Sequence, residues 1–288
     1  MRQTATALFL GLSLLANGLL AGGSSARAAD KITWFVTHFP PGYIRKGPNI
    51  GGGHMDLVLK DFQRALSGFE HEDVDGPMPR AQASMKRRDG VCNNSLFRTR
   101  EREAFIHFSK PYIWIVANRL VVAAAAMGKV AVHRDANGAV NVETLLQDER
   151  IRYGFSRKRS YAPVIDRTLK ALGDNPRGHA VIHSETLMKM IAGGRFDVTF
   201  AYPAEAIHHL RGLGLAPDLH YLPMTGVASF FPVHVGCSKR ATGKRVVDAV
   251  NRIIAQSGVY PAWYRHYEKN LAADAVRQLR AFVPTAAK

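Results

Sequence analysis

The chain has 288 residues, 47% of them hydrophobic, and a formal charge of +16. That is enough for one large or two medium globular domains, and no internal repeat or low-complexity linker interrupts it. So basic a balance favours anionic partners: acidic solutes, lipid headgroups or nucleic acid.

The N-terminus reads as an export signal. Arg2 is followed by an apolar run from Ala7 to Leu20 and then by Ala26-Arg27-Ala28, an A-x-A cleavage site. The run falls short of the ~20 residues of a membrane span, no later segment is long and apolar enough, and no cysteine stands near the cleavage site to carry a lipid. The expectation is a leader over 1–28 and a mature protein free in the periplasm, with a charge of +14 because only Arg2 and Arg27 are lost. Export argues against nucleic acid. The basic residues are scattered apart from Lys86-Arg87-Arg88 and Arg157-Lys158-Arg159, which read as solvated faces.

Ile32 to Val36 is a strand of β-branched and aromatic residues. It runs into Thr37-His38-Phe39-Pro40-Pro41-Gly42-Tyr43, a loop stiffened by its prolines. Ligands of α/β sheets gather at the carboxyl ends of strands, which is where this loop lies; packing of Phe39 and Tyr43 onto the core is the competing role. Gly51-Gly52-Gly53 lacks the Lys-Ser/Thr ending of a phosphate loop and is read as a flexible lead into a helix, with Met55, Leu57, Val58, Phe62, Ala65 and Leu66 at helical spacing. Phe69 to Asp75 is a polar strand, Arg80 to Lys86 a helix, and Val91 to Asn94 a strand. Arg80, at its helix start, is a candidate to hold an anion, with a structural salt bridge as the competing role.

Thr99 to Tyr112, TREREAFIHFSKPY, is the most informative stretch. The Thr99 hydroxyl suits the cap of a short helix, and Glu101 and Glu103 lie in the turn where the helix dipole favours negative charge. An arginine at such a helix start, beside a buried segment, suits bidentate recognition of a carboxylate; pairing of Arg102 with Glu101 or Glu103 on the surface is the bland alternative. The stretch resembles the Thr-x-x-Arg…Phe-Ser-x-Pro-Tyr signature of the extracytoplasmic solute-binding proteins of family 3, the polar amino-acid binders. The resemblance implies an α/β fold of the type 2 periplasmic-binding class, two lobes joined by a two-segment hinge. Lobe 1 would comprise 29–118 plus 228–288, and lobe 2 would comprise 119–227. It further implies that Arg102 grips a ligand carboxylate and that Phe39 or Tyr43, with His38 beside them, covers it; Phe97 is a further candidate for the same site.

Beyond Tyr112, IWIVANRLVVAAAA is expected to be a strand that crosses into lobe 2, followed by a strand over Lys129 to Val132, a helix over Val142 to Gln147 and a strand over Ile151 to Gly154. The next loop leads into a helix, and a helix start is a ready anion site. In the family this loop supplies amides and hydroxyls to the ligand, which here points to Ser156, Ser160 and Tyr161. Glu185 to Ile191 is a helix, and Phe196 to Tyr202 is a strand. Amino-acid binders deliver an aspartate from that strand to the ligand's ammonium; here Tyr202 stands at that position, with Glu205 three residues on, a departure that points to another ligand class.

Two cysteines in an oxidising compartment allow one disulfide or two free thiols, and the implied fold places the strands of Cys92 and Cys237 near each other in lobe 1. No cofactor is implied. His179-x-x-x-His183 has zinc-like spacing, but its apolar interior favours a strand and no third ligand is placed. The closing Gly258-Val259-Tyr260, Trp263, Tyr264 and Tyr267 are read as core.

The function expected from the resemblance is binding of a small carboxylate-bearing solute by a monomer, for delivery to an inner-membrane ABC transporter or sensor. The rival is a periplasmic enzyme of the cyclohexadienyl dehydratase type, with Glu205, His38 or His54 as general acid or base. A docking adaptor for an anionic membrane is a third reading.

Overall fold

A computed structural model describes residues 30–157 and 159–286. The leader expected over 1–28 lies outside the described residues.

The first part of the chain alternates β1 (Lys31–Val36), α1 (His54–Ala65), β2 (Glu70–Asp75), α2 (Met78–Arg87) and β3 (Val91–Leu96). The short α3 (Arg100–Glu103), β4 (Ile106–Phe108) and β5 (Ile113–Val116) follow. Next come β6 (Arg119–Ala123), α4 (Met127–Ala131), α5 (Val142–Gln147), β7 (Tyr153–Ser156), α6 (Pro163–Leu172), β8 (Gly178–Val181), α7 (Ser184–Ala192), β9 (Val198–Ala201), α8 (Pro203–Gly212) and β10 (Leu219–Leu222). The chain ends in β11 (Phe230–Ser238), α9 (Ala241–Gln256), α10 (Tyr264–Glu268) and α11 (Ala273–Ala286).

These strands make two sheets. The first has the order β2-β1-β3-β11-β4, with β5 also paired to β11; the second has the order β10-β6-β9-β7-β8. In the first, β1 runs parallel to β2 and β3, and β11 is antiparallel to its neighbours. In the second, β7 is parallel to β8 and β9, while β6 is antiparallel to β9 and β10. Crossover helices cover the parallel strands, and β1, buried along most of its length, reads as an apolar run, whereas β2 at the edge of the sheet is polar and partly exposed. Each sheet has its own core: Ile32, Trp34, Phe62 and Trp263 belong to one, and Tyr153, Ile165, Val198 and Phe200 to the other.

The chain leaves the first sheet after β5 and rejoins it at β11. The two crossings touch: the amide of Ala117 donates to the carbonyl of Ser229 at 3.0 Å, and Arg119 Nη2 donates to the same carbonyl at 3.1 Å.

Two expectations need correction. Lys129 to Val132 is not a strand but falls in and just after α4, because four residues are too few to define a period and a short 3-10 turn at Ala124–Ala126 sets a helical start. Only Val130 of that stretch is buried, and Val132 is 70% exposed. The crossing strand is also broken in two at Ala117 and Asn118, where the backbone passes from one sheet to the other.

The cysteines form a disulfide. The antiparallel register sets Cys237 directly opposite Cys92, with Cα atoms 4.1 Å apart, and both are fully buried.

Candidate functional site

A cavity of about 340 Å³ lies between the sheets, and its walls come from the carboxyl ends of parallel strands in both. Phe39 follows β1, Phe97 follows β3, Arg159 and Ser160 follow β7, and Tyr202 follows β9. This is where α/β sheets place ligands, since the strands end there and the helices begin.

The loop after β1 is held against α1 by close backbone contact. Amides of His54 and Met55 donate to the carbonyls of Pro41 and Gly42 at 2.9 and 2.8 Å. A Cβ on Gly53 would stand 2.2 Å from the Gly42 carbonyl oxygen, so only glycine allows the approach. The buried Asp56 carboxylate accepts from the amides of Ile44 and Gly53, at 2.8 and 3.2 Å. The glycine run thus positions the loop that carries Phe39 and Tyr43.

Arg159 and Glu205 form the charged centre. Arg159 Nη1 donates to both carboxylate oxygens of Glu205, at 2.7 and 2.6 Å, while Nη2 donates to Asn118 Oδ1 at 3.2 Å. The side chains are 12% and 3% exposed. The guanidinium also lies over the rings of Phe39, Tyr161 and Tyr202, at 5.6, 5.0 and 5.0 Å, in cation–π geometry. Burial works against the Arg159 charge, and Glu205 outweighs it, so its pKa lies above the ordinary value. Nε of Arg159 makes no hydrogen bond among the described residues and keeps a donor for a ligand. Glu205 reaches the cavity because α8 starts at Pro203: Tyr202 and Glu205, three apart, share one face of its first turn.

Of the residues expected at the site, Phe39, Tyr43, Phe97, Ser160 and Tyr202 line the cavity. Tyr43 is buried and donates to Asn94 Oδ1, and Phe39 packs edge-on against Tyr202. Tyr161 stands one layer back, beneath Arg159, with its hydroxyl accepting from the amide of Ser156 at 2.7 Å. Ser156 is buried behind it and is not part of the lining. His38 is exposed, with Nδ1 accepting from the Arg45 amide at 3.1 Å, and Arg80 is exposed on α2. Arg102 is half-buried outside the lining. Its amide donates to the Thr99 hydroxyl at 3.3 Å, and its Nη1 donates to the Phe97 carbonyl at 2.8 Å, so it ties α3 to the end of β3. Burial lowers its pKa, with Glu101 acting the other way.

The cavity also holds residues that sequence reasoning assigned elsewhere. Arg159 belongs to a basic run read as a solvated face; its place between the end of β7 and the start of α6 was the signal to weigh. Tyr267 is core, as expected of the C-terminal aromatics, and also lines the cavity.

His54 lines the cavity beside Tyr267, with ring centroids 5.0 Å apart, and its Nδ1 has no partner among the described residues. Burial pushes its pKa down to about 3; the Pro41 backbone works against this, and the nearby His266 and His208 push downward. The unfolded chain takes up this proton below about pH 6.5, whereas the folded one does so only near pH 3. His54 therefore withdraws stability as pH falls through that window, by about 1.4 kcal/mol per pH unit. Urea unfolding of His54→Phe between pH 7 and 4 is expected to show a flatter decline than the unaltered protein; equal slopes would contradict the buried, neutral imidazole.

No family model matches the sequence, and no curated protein matches it. Solved structures do. The ancestral cationic amino acid solute-binding protein AncCDT-1 superposes with a TM-score of 0.58 at 14% identity, covering 84% of this chain and 96% of that one. The probable amino-acid ABC transporter extracellular-binding protein ytmK of Bacillus subtilis gives 0.56 at 16%, covering 84% and 99%. The periplasmic VFT2 domain of BvgS from Bordetella pertussis gives 0.53 at 17%, covering 86% and 92%. The chain has the fold of the two-lobe periplasmic binding proteins. In that fold the cavity occupies the cleft between the lobes, and the touching crossings at Ala117 and Ser229 join them.

Proposed function

We propose that the protein is an extracytoplasmic binding protein whose cleft takes a small zwitterionic, amino-acid-like solute. The observation that carries this is the Arg159–Glu205 pair, buried, framed by three aromatic rings and facing the cavity. The free Nε edge of Arg159 suits the ligand's carboxylate, and Glu205 supplies the acid that Tyr202 does not. With the pair already neutral, a zwitterion enters without leaving a net buried charge. Both oxygens of Glu205 accept from Arg159, which favours binding over acid–base catalysis, as does the company of binding proteins among the similar structures. The reading includes a periplasmic monomer, lobes of 29–118 plus 228–288 and 119–227, closure about the crossings, and delivery to a membrane transporter or sensor.

A thermal-shift screen of refolded mature protein against amino acids and organic acids tests the reading. A ligand at a hundred times its dissociation constant adds ~2.7 kcal/mol of stability. The hit is expected to vanish in Arg159→Met, a loss of ~2–5 kcal/mol in affinity, and to persist in Arg102→Ala. The reverse pattern would move the carboxylate anchor to Arg102, and silence across the panel would end the binding reading.

A further inference from the structure

The polar side chains of the cleft are mostly spoken for inside the protein. The Thr37 hydroxyl donates to the Gly76 carbonyl at 2.6 Å, Asn93 Nδ2 to the Phe35 carbonyl at 2.7 Å, and Ser95 Oγ to Asn93 Oδ1 at 3.1 Å. Ser160 Oγ donates to Asp166, and the Tyr267 hydroxyl accepts from the Val116 amide at 2.9 Å. Away from Arg159 and Glu205, much of the wall is Met55, Met78, Phe97, Ile115, Val233 and Ala204. Among the described lining residues, Glu205 is the sole acid and Arg159 the sole arginine or lysine, and each is taken by the other.

Charge bookkeeping then decides between amino-acid classes. A zwitterion with an uncharged side chain leaves the cleft neutral. A lysine or arginine would set a second cation among thioethers and hydrocarbon with no acid to meet it, and a glutamate would add an unmet anion; either burial is costly. A side-chain amide would lose water and find few free partners, the His54 Nδ1 being the one orphaned buried side-chain atom among the described lining residues. An apolar body loses nothing and gains contact with the methionines, whose flexible thioethers fit varied shapes.

We propose that the cleft selects amino acids with a bulky, uncharged, apolar or aromatic side chain, and discriminates against cationic, acidic and amide ones. This rests on the reading of Arg159 and Glu205 as the zwitterion site. The volume of about 340 Å³ fits one such molecule, near the low end of the ~300–1,000 Å³ usual for small-ligand pockets.

The experiment is titration calorimetry of the refolded mature protein with L-phenylalanine, L-leucine, L-arginine, L-glutamine and L-glutamate. Phenylalanine or leucine is expected to bind at least 100-fold more tightly than arginine or glutamate. Met78→Glu adds a second acid to the wall at the start of α2, where a carboxylate also suits the helix dipole. It is expected to shift the preference toward arginine by at least tenfold. If arginine, glutamine or glutamate is the tightest ligand of the unaltered protein, the selectivity is overturned while the zwitterion site stands. If none of the five binds, the zwitterion site itself is overturned.

Discussion

Replacing Cys92 and Cys237 together by alanine is expected to lower the unfolding free energy by about 5 kcal/mol. The bridge joins positions 145 residues apart, and in the chain-entropy model the stabilisation grows with the loop that the cross-link closes in the unfolded chain. The loop encloses most of the first sheet and all strands of the second, so its release frees much of the unfolded ensemble at once. A loss of this size is a large share of the ~5–15 kcal/mol typical of a folded domain. Urea midpoints of the double variant, and of the unaltered protein unfolded and refolded with reductant, should agree. A double variant within 1 kcal/mol of the parent would show that the bridge constrains little beyond what the β3–β11 pairing already does.

Arg159→Met alone is expected to cost about 3–5 kcal/mol of stability, because it leaves the Glu205 carboxylate buried with no cation beside it. The double variant Arg159→Met, Glu205→Met should recover most of that loss, since a buried pair replaced by apolar groups of similar size is often neutral. Neither variant is expected to respond to a ligand that stabilises the parent. This separates the two roles of Arg159: stability returns in the double variant, whereas binding does not. A single variant as stable as the parent would mean that water reaches Glu205, and the electrostatic account of the cleft would fall with it.

Arg159 also marks the limit of what local pattern reveals. In sequence it is the third member of a basic run, and such runs are solvated faces more often than not. Its partner Glu205 is 46 residues away, on another helix, and the ring of Phe39 reaches it from the first loop, in the other sheet. No spacing connects them. Arg102 presents the converse. Its helix, its threonine cap and the turn after it were all legible, because a cap and a dipole act over three or four residues. Where its guanidinium points was not legible, and it points to the carbonyl of Phe97.

Alone, the sequence determined the α/β class, most element positions, the short capped helix at Thr99, and the loops at strand ends from which the cleft is built. Those features rest on periodicity, capping and turn chemistry, which are interactions among neighbours along the chain. The tertiary structure alone decided the register that sets Cys92 opposite Cys237, which arginine among the described residues lines the cavity, and which acid neutralises it. Those outcomes depend on the closing of long loops and on the burial of charge, whose cost is set by the whole surrounding fold.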